Sequence, residues 1–133
     1  MIIDTSAIIA ILRDEPEAPS HARAIADATR RRVSAVNFVE SAAVIDASGD
    51  PIATRRFDDF IQAAHISIEP VTEVQARIAR YAYRDFGKGS GHPAKLNFGD
   101  CFAYALAKET DEPLLFKGDD FAHTDIVPVL TSL

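Results

Sequence analysis

The chain has 133 residues, 47% of them apolar, and a formal net charge of −6. That is the size of one domain, residues 1–133, able to bury roughly two thirds of its unfolded surface without staples. The composition excludes a disordered polymer, and the lone cysteine, Cys101, excludes an internal disulfide and favours a reducing cytoplasm. The chain opens Met-Ile-Ile-Asp, with no basic leader and no apolar stretch of membrane length, so no membrane partner is expected. The acidic balance argues only weakly against a nucleic-acid partner, because much of it sits in a few acids that a divalent cation would neutralise.

In chain order, residues 1–4 read as a buried strand and residues 5–13 as a helix with Ile8, Ile9 and Leu12 on one side. Residues 17–32 read as an alanine-rich helix behind Pro16. Arg30, Arg31 and Arg32 fall in its last turn, where cations complement the helix dipole; RNA contact is the alternative. Residues 33–36 form a second strand and residues 37–48 a helix, stopped by Gly49-Asp50-Pro51. Pro51 starts the next helix, to about Ala64. Residues 65–69 alternate as an edge strand does, and residues 72–86 repeat apolar positions with a helical period. Residues 87–93, Gly-Lys-Gly-Ser-Gly-His-Pro, are a flexible loop with neither Walker nor dinucleotide spacing. Residues 97–110 are helical, 114–117 a strand, and 126–130 a last edge strand that tolerates Pro128. This alternation is the signature of an α/β fold, with a mainly parallel sheet of four to five strands and helices on both faces.

Acids recur beyond the strands. Asp4 closes the first, Glu40 and Asp100 lie in helices entered from loops, and Asp119 and Asp120 follow the strand at 114–117. In such folds ligands bind beyond the carboxyl ends of the strands. Two carboxylates about 5 Å apart repel by roughly 3 kcal/mol at an effective dielectric near 20. A converging set therefore asks for a cation or bound protons. Oxygen donors suit Mg²⁺ or Mn²⁺, and metal-assisted phosphodiester chemistry follows. Taken singly, each acid has a plainer reading. Asn37-x-x-Glu40 and Asn97-x-x-Asp100 have the spacing of a capping box, and Asp4 or Thr5 could cap the first helix. His21, His65, His92 and His123 lack zinc-ligand spacing; His92, in the glycine loop, is a candidate substrate contact. Arg77, Arg80 and Arg84 share a helix face and, with Lys88 and Lys95, are candidates to hold RNA phosphates. The rival readings are a phosphoacceptor signalling domain and a metal-free RNA-binding module.

Met-Ile-Ile-Asp4-Thr5-Ser6-Ala7, Glu40, Asn97-Phe98-Gly99-Asp100-Cys101 and Leu114-Leu115-Phe116-Lys117-Gly118-Asp119-Asp120-Phe121 together resemble the PIN domain, and more narrowly the VapC ribonuclease toxins of type II toxin–antitoxin systems. The resemblance implies a three-layer α/β/α fold and a Mg²⁺- or Mn²⁺-dependent endoribonuclease. It further implies inhibition by a VapB-type antitoxin, and a homodimer. Asp4, Glu40 and Asp100 match the family acids, with Asp4 and Asp100 expected to bind metal directly. The fourth acid is open: Gly118 stands where many relatives carry it, and Asp119, Asp120 or the fainter Asp125 could replace it.

Overall fold

The computed structural model describes residues 1–131. Its elements run β1 (Ile2–Ile3), α1 (Thr5–Leu12), α2 (Ala18–Asp27), β2 (Arg32–Ser34), α3 (Ala35–Asp46), α4 (Pro51–Ala63), β3 (Ser67–Glu69), α5 (Glu73–Phe86), α6 (Phe98–Thr110) and β4 (Leu114–Leu115), followed by a short 3₁₀ turn, Asp120–His123. Every strand pairing is parallel, in the order β3-β2-β1-β4.

Two-residue periodicity divides the core. Ile2 and Leu114 face α5 and α6, where they meet Ala79, Ala82, Leu106 and Phe121. Ile3 and Leu115 face the other way, into Ile8, Ile25, Val33, Ile45, Phe57 and Ile61 from α1 to α4. The sheet is thus a middle layer between helices, as expected from strands buried on both faces. Each fully buried aliphatic side chain contributes about 1.5–3 kcal/mol, so the two-residue central strands are held mainly by this double packing.

Several boundaries differ from expectation, each for a local reason. The second helix stops at Asp27, and Ala28 is already extended. Arg31 then donates to the carbonyls of Ala26, Ala28 and Ala64, while Arg32 begins β2 and pairs with Glu112. Arg31 and Arg32 therefore stitch loops and strand ends together; they neither close a helix nor reach out as a basic patch. The third helix begins two residues before Asn37. Ser34 caps it, accepting from the Val36 amide, and Asn37 falls within the helix. His65 lies outside the edge strand. It takes a left-handed conformation (φ 52°), with its amide donating to the Gln62 carbonyl and that of Ile66 to the Ile61 carbonyl. This Schellman closure ends α4 and seats Ile66 against the core.

The last expected strand shrinks to one parallel bridge between Leu114 and Pro128. Leu114 donates to the Val127 carbonyl and accepts from the Val129 amide. Proline has no N–H with which to extend that ladder. Among the described residues no helix is long and apolar enough to cross a membrane.

Candidate active site

The carboxyl ends of β1 and β4 and the amino end of α6 bring the acids together. Asp4 follows β1 and caps α1: its Oδ2 accepts from the Ser6 amide (3.0 Å) and the Ser6 hydroxyl (2.6 Å). That hydroxyl in turn accepts from the Lys117 amide at 2.9 Å, tying the exit of β4 to the exit of β1. The other oxygen, Oδ1, is buried and has no hydrogen-bond partner among the described residues. Asp4 is 2% exposed, and burial, reinforced by Glu40, pushes its pKa up to about 6.

Asp100 lies in the first turn of α6, in a true capping box. The Asn97 side chain accepts from the Asp100 amide (2.8 Å), and Asp100 Oδ2 accepts from the Asn97 amide (2.9 Å). Its pKa is pushed up to about 7, first by burial and then by Asp4, with smaller contributions from Asp120 and Glu40. The Asn97 amide opposes that rise. Asp100 therefore serves the helix cap through one oxygen while the neighbouring acids Asp4, Asp120 and Glu40 raise its proton affinity.

Glu40 comes from mid-α3. The Thr5 hydroxyl donates to its Oε1 at 2.5 Å. Asn37, fully buried, donates to the Thr5 hydroxyl (3.2 Å) and the Gly99 carbonyl (3.1 Å), with a longer reach to Glu40 (3.5 Å). The Asn37-x-x-Glu40 spacing is thus not a cap. It is a polar bolt joining the β1–α1 turn, α3 and α6. Gly99 completes the arrangement, because a Cβ there would fall inside contact distance of the Glu40 carboxylate. Neither the bolt nor the role of Gly99 follows from the sequence; the matching Asn37-x-x-Glu40 and Asn97-x-x-Asp100 spacings are the only signal.

The candidates for the fourth position sit in different surroundings. Asp120, at the start of the 3₁₀ turn, is close enough to raise the proton affinity of Asp100. Asp119 borders a separate surface hollow with Phe116, Gly118 and Phe121. Asp125 accepts from the Tyr104 hydroxyl (2.7 Å) and the Lys108 ammonium (2.8 Å), two turns along α6 from Asp100. His92 is half-buried, stacks edge-on against Phe86 and accepts the Ala94 amide through Nδ1. Cys101 is buried, its thiol pushed up to about 12 by that burial, which leaves it a packing residue.

None of Asp4, Glu40, Asp100 or Asp120 has a Lys or Arg partner within 4.0 Å among the described residues. The donor set is wholly oxygen and includes an unpartnered buried carboxylate atom, which suits a hard divalent cation. No three Asp, Glu, His or Cys side chains converge tightly enough, among the described residues, to ligate an ion alone. Waters or phosphate oxygens would complete the shell, as Mg²⁺ commonly requires.

Comparison with known proteins places this geometry in a family. The PIN domain matches residues 1–127. Ribonuclease VapC28 of Mycobacterium tuberculosis (strain ATCC 25618 / H37Rv) is 58% identical over 126 residues, covering 95% of each chain. Ribonuclease VapC42 of the same organism is 49% identical over 131 residues, covering 98% of this chain and 100% of that one. The fold also superposes on the crystal structure of Mycobacterium tuberculosis VapC20, a sarcin-ricin loop cleaving toxin, with a TM-score of 0.73, 15% identity and 95% of both chains covered. A toxin–antitoxin complex from Klebsiella pneumoniae gives a TM-score of 0.68 at 16% identity, covering 91% of this chain and 89% of that one. The chain belongs to the PIN-domain family and, within it, to the VapC ribonucleases.

Proposed function

We propose that this protein is a Mg²⁺- or Mn²⁺-dependent endoribonuclease toxin of the cytoplasm, held in check by a VapB-type antitoxin and working as a homodimer. The observation that carries the reading is the buried, unpartnered Oδ1 of Asp4 beside Asp100, two carboxyls without a cation of their own. It is supported by the names of the relatives, which are ribonucleases, and by a structural neighbour that is a toxin–antitoxin complex.

Asp4 and Asp100 would hold the cation, which when bound neutralises the scissile phosphate and acidifies water. Glu40, which accepts from the Thr5 hydroxyl, would take the proton of the attacking water. Asp120, exposed at the start of the 3₁₀ turn, would complete the cation's shell or orient water. Asp119 stands aside, and Asp125 is engaged by Lys108 and Tyr104. Water attack at phosphorus leaves the RNA 2′-hydroxyl idle, so the product carries a 5′-phosphate.

The basic face of α5 is partly spent: Arg77 pairs with Glu73 and Arg84 with Asp85. Arg80, Lys88 and Lys95 have no acidic partner within 4.0 Å among the described residues and are the better candidates for the phosphate backbone.

Incubation of the purified chain with RNA and Mg²⁺ or Mn²⁺ should give cleavage that EDTA stops and added metal restores. Cleavage indifferent to EDTA, or retention of RNA without cleavage, overturns the proposal.

A further inference from the structure

The seam between α5 and α6 holds a hollow that the acids do not use. It has a volume of about 310 Å³ and is walled by Ala76, Arg80 and Tyr83 on one side and by Phe98 and Phe102 on the other. Phe98 is 69% exposed, with its ring meeting Phe102 edge to face at 5.0 Å. Such exposure in the first turn of a helix is costly, since a buried Phe side chain is worth about 1.5–3 kcal/mol over an exposed one. Arg80, at the rim, has no acidic partner within 4.0 Å among the described residues, unlike Arg77 and Arg84 on either side of it.

The position of the hollow limits what it can hold. Phe98 is the first residue of α6 and Asp100 the third, so ring and carboxylate leave the same helix end on nearly opposite sides. With side chains a helix is about 10 Å across, a span that a neighbouring nucleotide bridges. The cavity lies at the small end of the roughly 300–1,000 Å³ range of ligand pockets, enough for one ring system and too little for a docked helix. The α5 rim is charged, with Arg77, Arg80 and Arg84 all exposed. An exposed aromatic beside an unpaired guanidinium is how single-stranded nucleic acid is gripped: the base stacks and the cation meets the phosphate.

We infer that this hollow is a base subsite. It stacks one unpaired nucleobase of the RNA on Phe98, with Arg80 on the adjoining phosphate, while the scissile phosphate lies at Asp4 and Asp100. This rests on the ribonuclease reading above.

The test is a single-stranded RNA carrying 2-aminopurine at each position in turn, bound at low salt in EDTA so that no cleavage occurs. Binding should quench the probe at one position. Phe98→Ala should abolish that quench and weaken binding roughly tenfold, while Phe98→Tyr keeps both. Arg80→Ala should lower the salt slope of binding by about 1. The subsite is overturned if no RNA binds, if no position responds, or if Phe98→Ala leaves quench and affinity unchanged. It is likewise overturned if Phe98→Ala dissociates a dimer in light scattering with RNA affinity intact, which would make the face a contact between copies. Because the assay needs no catalysis, a quench without Mg²⁺-dependent cleavage defeats the nuclease reading and leaves the subsite standing.

Discussion

The two ends of the parallel sheet treat their acids in opposite ways. At the amino end Glu112 accepts the Met1 ammonium at 2.7 Å and faces Arg32 at 3.3 Å, with Arg30 at 3.9 Å. At the carboxyl end Asp4, Glu40, Asp100 and Asp120 gather without one basic side chain within 4.0 Å among the described residues. Charge at the first end is balanced by the chain itself. At the second, burial disfavours it, hydrogen bonds from Ser6, Thr5 and Asn97 oppose that, and no basic side chain balances it among the described residues. An end that is internally neutral serves the fold; on the function proposed above, the end left in deficit holds a cation.

Substitutions on the two ends should therefore behave differently. The largest effect belongs to Asp4→Asn, which keeps the Ser6 contacts but removes the charge. Metal-stimulated RNA cleavage should fall by about a thousandfold or more, of the order seen when groups acting on the reacting centre are lost. Near-normal cleavage by a repurified variant would falsify the assigned role.

Next comes Gly99→Ala, whose methyl would displace the Glu40 carboxylate. Misplacing a group by about 1 Å costs on the order of a hundredfold, so cleavage should drop by about that much while circular dichroism stays native.

The thermal stability of the metal-free protein separates the ends directly. Asp4 and Asp100 titrate at about 6 and about 7 when folded, above the usual 3.8. The folded state then binds more protons than the unfolded one, so this stabilisation is complete below about pH 4 and is lost as pH rises through about 7. The change should amount to several kcal/mol, and Mg²⁺ should cancel it near neutrality. Asp100→Asn should flatten the profile. Glu112→Gln should do the reverse of a site mutation, lowering the melting temperature by about 2 kcal/mol worth of stability while leaving the Mg²⁺ response intact. A profile that rises from pH 4 to 7 without metal contradicts the contrast.

The smallest effect belongs to Asp125→Asn. It weakens a partly exposed bridge to Lys108, worth about 1 kcal/mol or less, and cleavage should be unchanged. A large loss there would return Asp125 to the site in place of Asp120.

Much of the site was legible in the sequence because local chemistry announced it. Asp4 after an apolar run, Asn97-x-x-Asp100 with capping spacing and Leu114-Leu115 before an acidic turn each reflect a local rule of strand end, cap or turn. The Asn37 capping prediction failed because α3 begins earlier, capped by Ser34, which leaves Asn37 inside the helix with its Nδ2 free to donate to the Gly99 carbonyl. The choice among Asp119, Asp120 and Asp125 could not be made from order along the chain. It depends on the 3₁₀ turn and on Lys108 and Tyr104, distant partners that take Asp125 away.

Alternating apolar runs and turn residues were enough to determine a parallel sheet between helices, with acids at its carboxyl edge, since backbone periodicity and capping act over a few residues. Only the folded chain decided which of those acids face one another, that Asn37 and Gly99 set Glu40 in place, and that the arginines at 31 and 32 serve the scaffold. Burial and repulsion among groups far apart in sequence are properties of the assembled interior, and no local pattern encodes them.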